Sequence, residues 1–258
     1  MKVIYNQYIH TGLNVLNSPD PNKKVELSLA EIYKEEFVEK KIFIPDVPAR
    51  PSKPILMHPK DMPKRSTSKN GIIALVHALA HIELNAIDLA WDLIVRFGNE
   101  INEEKFYSDW HIVAVDEARH FEMLNDELIR NNSFYGDFPA HNSLWETAKE
   151  TSGNVLDRLA IIPLFFEARG IDTSPNTIRK LEQSKNTRLS GILKKIYHDE
   201  INHLRIGVYW FEKLCIKKGY VPQKKWKSIV IKYLNKLPKG PFNIEGRREA
   251  GMSDSYWL

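Results

Sequence analysis

A single cysteine, Cys215, stands in the 258 residues, which excludes an intramolecular disulfide framework. With no signal peptide at the N-terminus, this leads us to expect a reducing, cytoplasmic setting. No unbroken run of about 18 or more apolar residues occurs, so no membrane-spanning segment is expected. Neither a disordered nor a collagen-like bias is present. Acid is missing from one long stretch: between Lys213 and Ile244 there are nine lysines and no Asp or Glu, with Tyr220, Trp226 and Tyr233 interleaved. Against a net charge of only +4, that is a local feature. It reads first as a solvated face on the last helices, and second as a surface for nucleic acid or an acidic partner. What remains is ordinary: 43% hydrophobic residues in 30.0 kDa, enough for one large domain with its own core.

The informative acids are those set inside apolar runs. Glu117 lies in Asp116-Glu117-Ala118-Arg119-His120, at helical spacing from Trp110, Val113, Ala114, Phe121, Leu124 and Leu128. Residues three apart share a helix face, so Glu117 and His120 offer a carboxylate and an imidazole to one point. The pattern returns in Asp199-Glu200-Ile201-Asn202-His203, among Leu193, Ile196, Leu204, Val208 and Phe211. Two further acids repeat the placement without a histidine: Glu83, among Val76, Ala80, Ile87, Trp91 and Ile94, and Glu167, after Ala160-Ile161-Ile162-Pro163-Leu164-Phe165-Phe166. An ionised carboxylate in such a setting is costly unless it is paired or coordinates a cation.

The order is therefore Glu, Glu-x-x-His, Glu, Glu-x-x-His, with separations of 34 and 33 positions from each lone Glu to the next motif Glu. The chain reads as two copies of one helix pair. The fold class expected is all-α, a ferritin-like four-helix bundle, in which four Glu and two His project inward to hold two metal ions. The competing reading is four buried carboxylates engaged in structural ion pairs.

One domain spanning 1–258 is expected: a leader helix and extended arm over 1–65, a bundle core over 66–218, and a basic extension with extra helices over 219–258. Helical periodicity in the leader runs from Val25 to Val38, through Leu27, Leu29, Ile32 and Phe37. Six prolines from Pro45 to Pro63 exclude a regular helix and predict an extended arm on the surface. Ser66 or Ser68 then offers an N-cap to a helix over 68–97, stopped at Phe97-Gly98-Asn99, and a second helix covers 103–130. Glu83 and Glu117 would each lie about 21 Å from the turn between these helices, so an antiparallel pair brings them level. A third helix is expected over 154–169, bent at Pro163 and ending near Gly170, with an extra helical piece over 175–184 and a fourth helix over 188–218.

With the six candidate ligands in place, the chain resembles a bacterial ferritin-like family of unknown function whose members are sometimes labelled rhodanese-related. The resemblance rests on Pro48-Ala49-Arg50-Pro51, His77 to Glu83, Asp116 to His120, Glu167-Ala168-Arg169-Gly170, Asp199 to His203 and Pro241-Phe242-Asn243. Cys215 sits in no recognisable sulfurtransferase loop. Ferritin-like proteins with this ligand set resemble di-iron enzymes that bind O2 and oxidise a nearby C–H bond or amine. The likeness implies two Fe ions, with Mn admitted at one or both positions, held by Glu83, Glu117, His120, Glu167, Glu200 and His203. Glu117 and Glu200 would be the bridging, catalytically central carboxylates, and Asp116 and Asp199 would orient the two imidazoles from behind. An O2-activating oxidoreductase, a hydroxylase in one form and tRNA-modifying in a narrower one, is the first expectation. Iron or peroxide handling without an organic substrate is the second, and a non-catalytic metal-binding scaffold the third. The partners implied are O2, a small-molecule or RNA substrate and an electron donor, with a homodimer admitted. His77 and His81 are read as packing or hydrogen-bonding residues. Arg158 and Arg169 are read as pairing with Asp157 or nearby acids, and Tyr107 and Tyr197 as either core tyrosines or redox-active neighbours of the metals.

Overall fold

A computed structural model describes residues 2–32, 43–63 and 68–258, and side chains from Gln7 onward with the exception of Lys69. Among these residues every regular element is helical, and the one β-type contact is an isolated parallel bridge between Leu56 and Ala140. The chain divides into two compact units, one reaching to Lys149 and the other comprising Glu150–Leu258.

The first unit contains α1 (Lys2–Asn17), α2 (Pro21–Leu29), α3 (Lys69–Ile101), α4 (Glu104–Arg130) and α5 (Ser143–Glu150). Ser68 caps α3 by accepting from the Gly71 amide. The alternative cap Ser66, and Phe37 of the leader periodicity, lie outside the described residues. The described helix here begins earlier than the periodicity suggests. Asp20 caps α2 and Pro21 begins it, and the helix has ended by Ala30.

α3 and α4 form a long antiparallel hairpin on which α1 and α2 pack. The expected stop at Gly98 is not used, and α3 runs on to Ile101, where Asn102 takes the left-handed conformation at φ 53°. Gly98 is there for proximity: a Cβ on it would stand 2.5 Å from the Tyr107 ring of α4. By length and composition α3 is also apolar enough to cross a bilayer, which the search for an unbroken apolar run did not reveal. Yet 72% of its most apolar stretch is buried inside the protein, as in a core helix.

The described part of the proline-rich segment lies along this unit and is irregular except for a 3-10 turn at Pro59–Asp61. Ala49 donates its amide to Leu16 at 2.7 Å, and the backbones of Ile55 and Met57 pair with Ala140. Arg50 reaches under the arm to Asp88 of α3 at 2.7 Å, while Lys24 of α2 holds the other oxygen of Asp88 at 2.6 Å. The side chains of Lys24 and Asp88 are completely buried.

The second unit contains α6 (Val155–Ile161), a π-helical segment (Ile162–Glu167), α7 (Ala168–Gln183), α8 (Thr187–Lys217), α9 (Pro222–Leu234) and α10 (Ile244–Glu249). Pro163 lacks the amide that would bond the Leu159 carbonyl, and the chain responds with a wide turn rather than a break. Gly207 of α8 receives that proline, since a Cβ there would stand 2.5 Å from the Pro163 Cβ. Gly170 was expected to end the helix, but α7 passes straight through it to Gln183. The continuation supplies the helical piece expected over 175–184, without an interruption. The tail returns to α7 through Arg247, which is buried, bidentate to Asp172 at 2.7 and 2.8 Å, and flanked by the adjoining Phe242 and Trp257 rings, each 4.8 Å away.

Candidate metal centre

The hairpin turn sets the first half of the site. Equal distances from the turn place Glu83 of α3 level with Glu117 and His120 of α4, and the structure brings all three together. His120 Nδ1 stands 3.4 Å from a Glu83 carboxylate oxygen and 3.3 Å from a Glu117 oxygen. One ligand atom from each of the three lies within 4.8 Å of the others. Glu83 is 5% exposed, Glu117 1% and His120 not at all. The surrounding residues Ala80, Leu84, Ile87, Ala114, Ala118 and Phe121 are equally buried.

Burial, followed by the negative charge of Glu117, pushes the Glu83 carboxyl up to about 8, with His120 pulling in the opposite direction. Without a cation the cluster therefore keeps a proton at neutral pH. Two carboxylates and an imidazole are hard and borderline donors suited to a divalent transition metal, and their convergence in an apolar core fits one. This buried group can bind a metal ion.

In the second unit, Glu200 and His203 share a face of α8 and approach to 3.8 Å, looser than in the first. His203 is fully buried. Glu167 closes the π-helical segment with its Oε2 buried. Among the described residues of this unit alone, no three such ligand atoms converge as closely as in the first. Asp116 bonds Arg119 at 3.3 Å and Asp199 binds Lys195, each within its own helix and each half-buried.

His77 and His81 are packing and hydrogen-bonding residues, as read. His77 Nε2 accepts from the Gly136 amide at 2.9 Å, and His81 meets the Tyr135 hydroxyl at 2.7 Å. Burial holds both imidazoles down at about 4, hence neutral. Arg158 donates to Thr151, whereas Asp157 is engaged by Lys232 and Tyr233. Arg169 reaches Asp172 at 3.8 Å. Tyr107 belongs to the hairpin end: ten positions before Glu117, it is about 15 Å away along α4 and bonds Asn99. Tyr197 accepts from Asn243 at 2.7 Å.

Residues 17–258 match the family described as "Protein of unknown function (DUF455)". The chain belongs to the DUF455 family. A Haemophilus influenzae protein described as uncharacterized is 40% identical to it over 214 residues, covering 81% of this chain and 74% of the relative. No solved structure matches. Membership brings no activity with it, so the chemistry of this DUF455 chain must be argued from its own side chains. Two buried charged assemblies escaped the sequence reading, Lys24–Asp88–Arg50 and Asp172–Arg247. Asp88 carried the same signal as Glu83, an acid inside an apolar helix. For Arg247 the sequence offered no periodic signal.

Proposed function

We propose that this DUF455 chain is a ferritin-like di-iron carboxylate oxidoreductase that uses O2 to oxidise an organic substrate, a hydroxylase in its simplest form. The carrying observation is the Glu83–Glu117–His120 cluster, two carboxylates and an imidazole packed together in an apolar core. Such a cluster is costly to maintain for structure alone and is stabilised by a cation. On this reading Glu83, Glu117 and His120 hold one ion, and Glu167, Glu200 and His203 hold a second, as the repeated order of the motifs suggests. Iron, or manganese as the other metal such donors accept, would if held there supply Lewis acidity and a redox site for O2, with the electrons for turnover drawn from an external donor.

The protein's own part is to bind, orient and exclude water. Glu83 gives up its proton when a cation arrives, so binding releases protons near neutral pH. Asp116 and Asp199, each beside a motif glutamate, are assigned to orienting the imidazoles. Trp110, Phe121 and Leu124, all buried, keep bulk water from the carboxylates. The substrate class proposed is a small molecule or an RNA nucleoside, in the cytoplasm.

Anaerobic titration with Fe(II) tests the reading. Two ions per chain are expected, with O2 consumption on exposure to air, and Glu117→Ala and Glu200→Ala should each abolish that consumption. A chain that saturates at one ion or none, with all six side chains intact, would sink the di-iron assignment. Peroxide accumulating in stoichiometric yield, whatever organic molecule is offered, would redirect it to iron handling.

A further inference from the structure

The lysine-rich stretch resolves into an organised surface at the turn between α8 and α9. Ile216, Tyr220 and Val221 are exposed there, at 69%, 46% and 54% respectively. Lys217, Lys218 and Lys224 are exposed beside them, and Lys225 lies over the Tyr220 ring at 4.8 Å. Lys227 and Lys232 are already engaged, by the Leu258 carboxylate end and by Asp157. At the end of α8, Lys217 and Lys218 complement the helix dipole. The same account fails for Lys224 and Lys225, which crowd the first turn of α9, where the dipole is also positive and no acid is present. Converging like charges around exposed apolar side chains costs stability, and such a surface is the anatomy of a docking site.

We propose that this turn docks a small acidic protein that delivers electrons to the metal centre. The partner's purpose rests on the oxidoreductase reading; its acidity rests only on the surface. Inserting one oxygen atom of O2 into a substrate sends the other to water, which takes two electrons and two protons from a donor. Transient electron-transfer contacts are small, so an apolar centre of a few residues within a charged rim suffices. Nucleic acid fits less well. No arginine lies between Lys213 and Ile244 for bidentate phosphate contacts. One face of the Tyr220 ring is already taken by Lys225 and one face of Tyr233 by Lys232, which leaves less ring surface for stacking bases. Ile216 lies 13 positions after His203, about 20 Å along α8, and buried Trp210 stands between them on the His203 face.

The probe is a plant-type [2Fe–2S] ferredoxin, a small acidic one-electron carrier, with a basic c-type cytochrome and total tRNA as comparisons. Ferredoxin should bind the full-length protein with an affinity that falls about tenfold or more as salt rises from roughly 20 to 300 mM. The triple change Lys217→Glu, Lys218→Glu and Lys224→Glu should remove that binding, and Ile216→Ser alone should weaken it severalfold. Iron loading and single-turnover O2 consumption of chemically reduced protein should stay unchanged in both variants. All four side chains are exposed, so folding, checked by circular dichroism, should survive. Ferredoxin that fails to bind, or binds the triple variant equally well, overturns the proposal. So does tRNA binding that the triple variant loses while ferredoxin is ignored. If salt-dependent ferredoxin binding is lost in the variant, yet chemically reduced wild-type protein never consumes O2, the docking face stands and the oxidoreductase reading falls.

Discussion

Glu83 has the most to reveal as a single side chain, because its burial makes stability depend on pH in a defined direction. Its folded value of about 8 lies above the ordinary 4.5, so the metal-free native state holds a proton that the unfolded chain has lost. Stability should therefore fall as pH rises from about 4.5 toward 8 and level off beyond. Glu83→Gln removes this ionisation cost. The metal-free variant should be more stable than the parent near pH 8, by on the order of 1–3 kcal/mol, and roughly equal to it near pH 5. With metal present the sign reverses, since the amide is a poorer ligand than the carboxylate. Thermal melts at several pH values, with and without Fe(II), check both halves. A metal-free parent as stable at pH 8 as at pH 5, unaffected by the substitution, would mean that Glu83 ionises freely.

At the scale of helices, what could be read in advance depended on whether a constant or a neighbour decided it. The rise per residue is constant, so counting from the turn places Glu83 level with Glu117 and His120 from sequence alone. A glycine, by contrast, looks the same in sequence whether it ends a helix or admits a neighbour. Gly98 was misread as a stop because Tyr107, which needs the space, lies across the hairpin. Gly170 was misread too, with nothing within 4 Å of its would-be Cβ. The two glycines should thus respond oppositely to alanine. Gly98→Ala should destabilise by about 1–3 kcal/mol through overpacking. Gly170→Ala should stabilise by roughly 0.5–1 kcal/mol, the ordinary gain inside a helix. Denaturant titration separates them, and a Gly98→Ala protein as stable as its parent would show that Tyr107 can move aside.

Among the described residues, each unit carries a buried ionic pin where irregular chain meets helix. In the first, Asp88 ties Lys24 and Arg50 of the leader and arm to α3; in the second, Asp172 of α7 holds Arg247 of the tail. Burial lowers the Lys24 ammonium below its ordinary value, and Asp88 opposes that shift. Removing one partner of such a pair strands a buried charge, so Asp88→Ala and Asp172→Ala should each cost about 3–5 kcal/mol. Hydrogen exchange should show the loss nearest the arm and α2 for the first, and across residues 240–258 for the second. Uniform deprotection by either change would contradict the local role. Neither pin was legible, because the arm and the tail have no period from which a facing residue can be counted.

The π-helical segment over Ile162–Glu167 also has a history written into it. A wide turn is a helix that has absorbed one residue too many, so everything beyond it is out of phase by about 100° with the helix it would otherwise continue. Deleting Pro163 there would allow a regular α-helix and rotate α7, with Asp172, away from its present heading. Apart from Glu167, insertion and deletion rather than substitution are therefore the changes this stretch should resist.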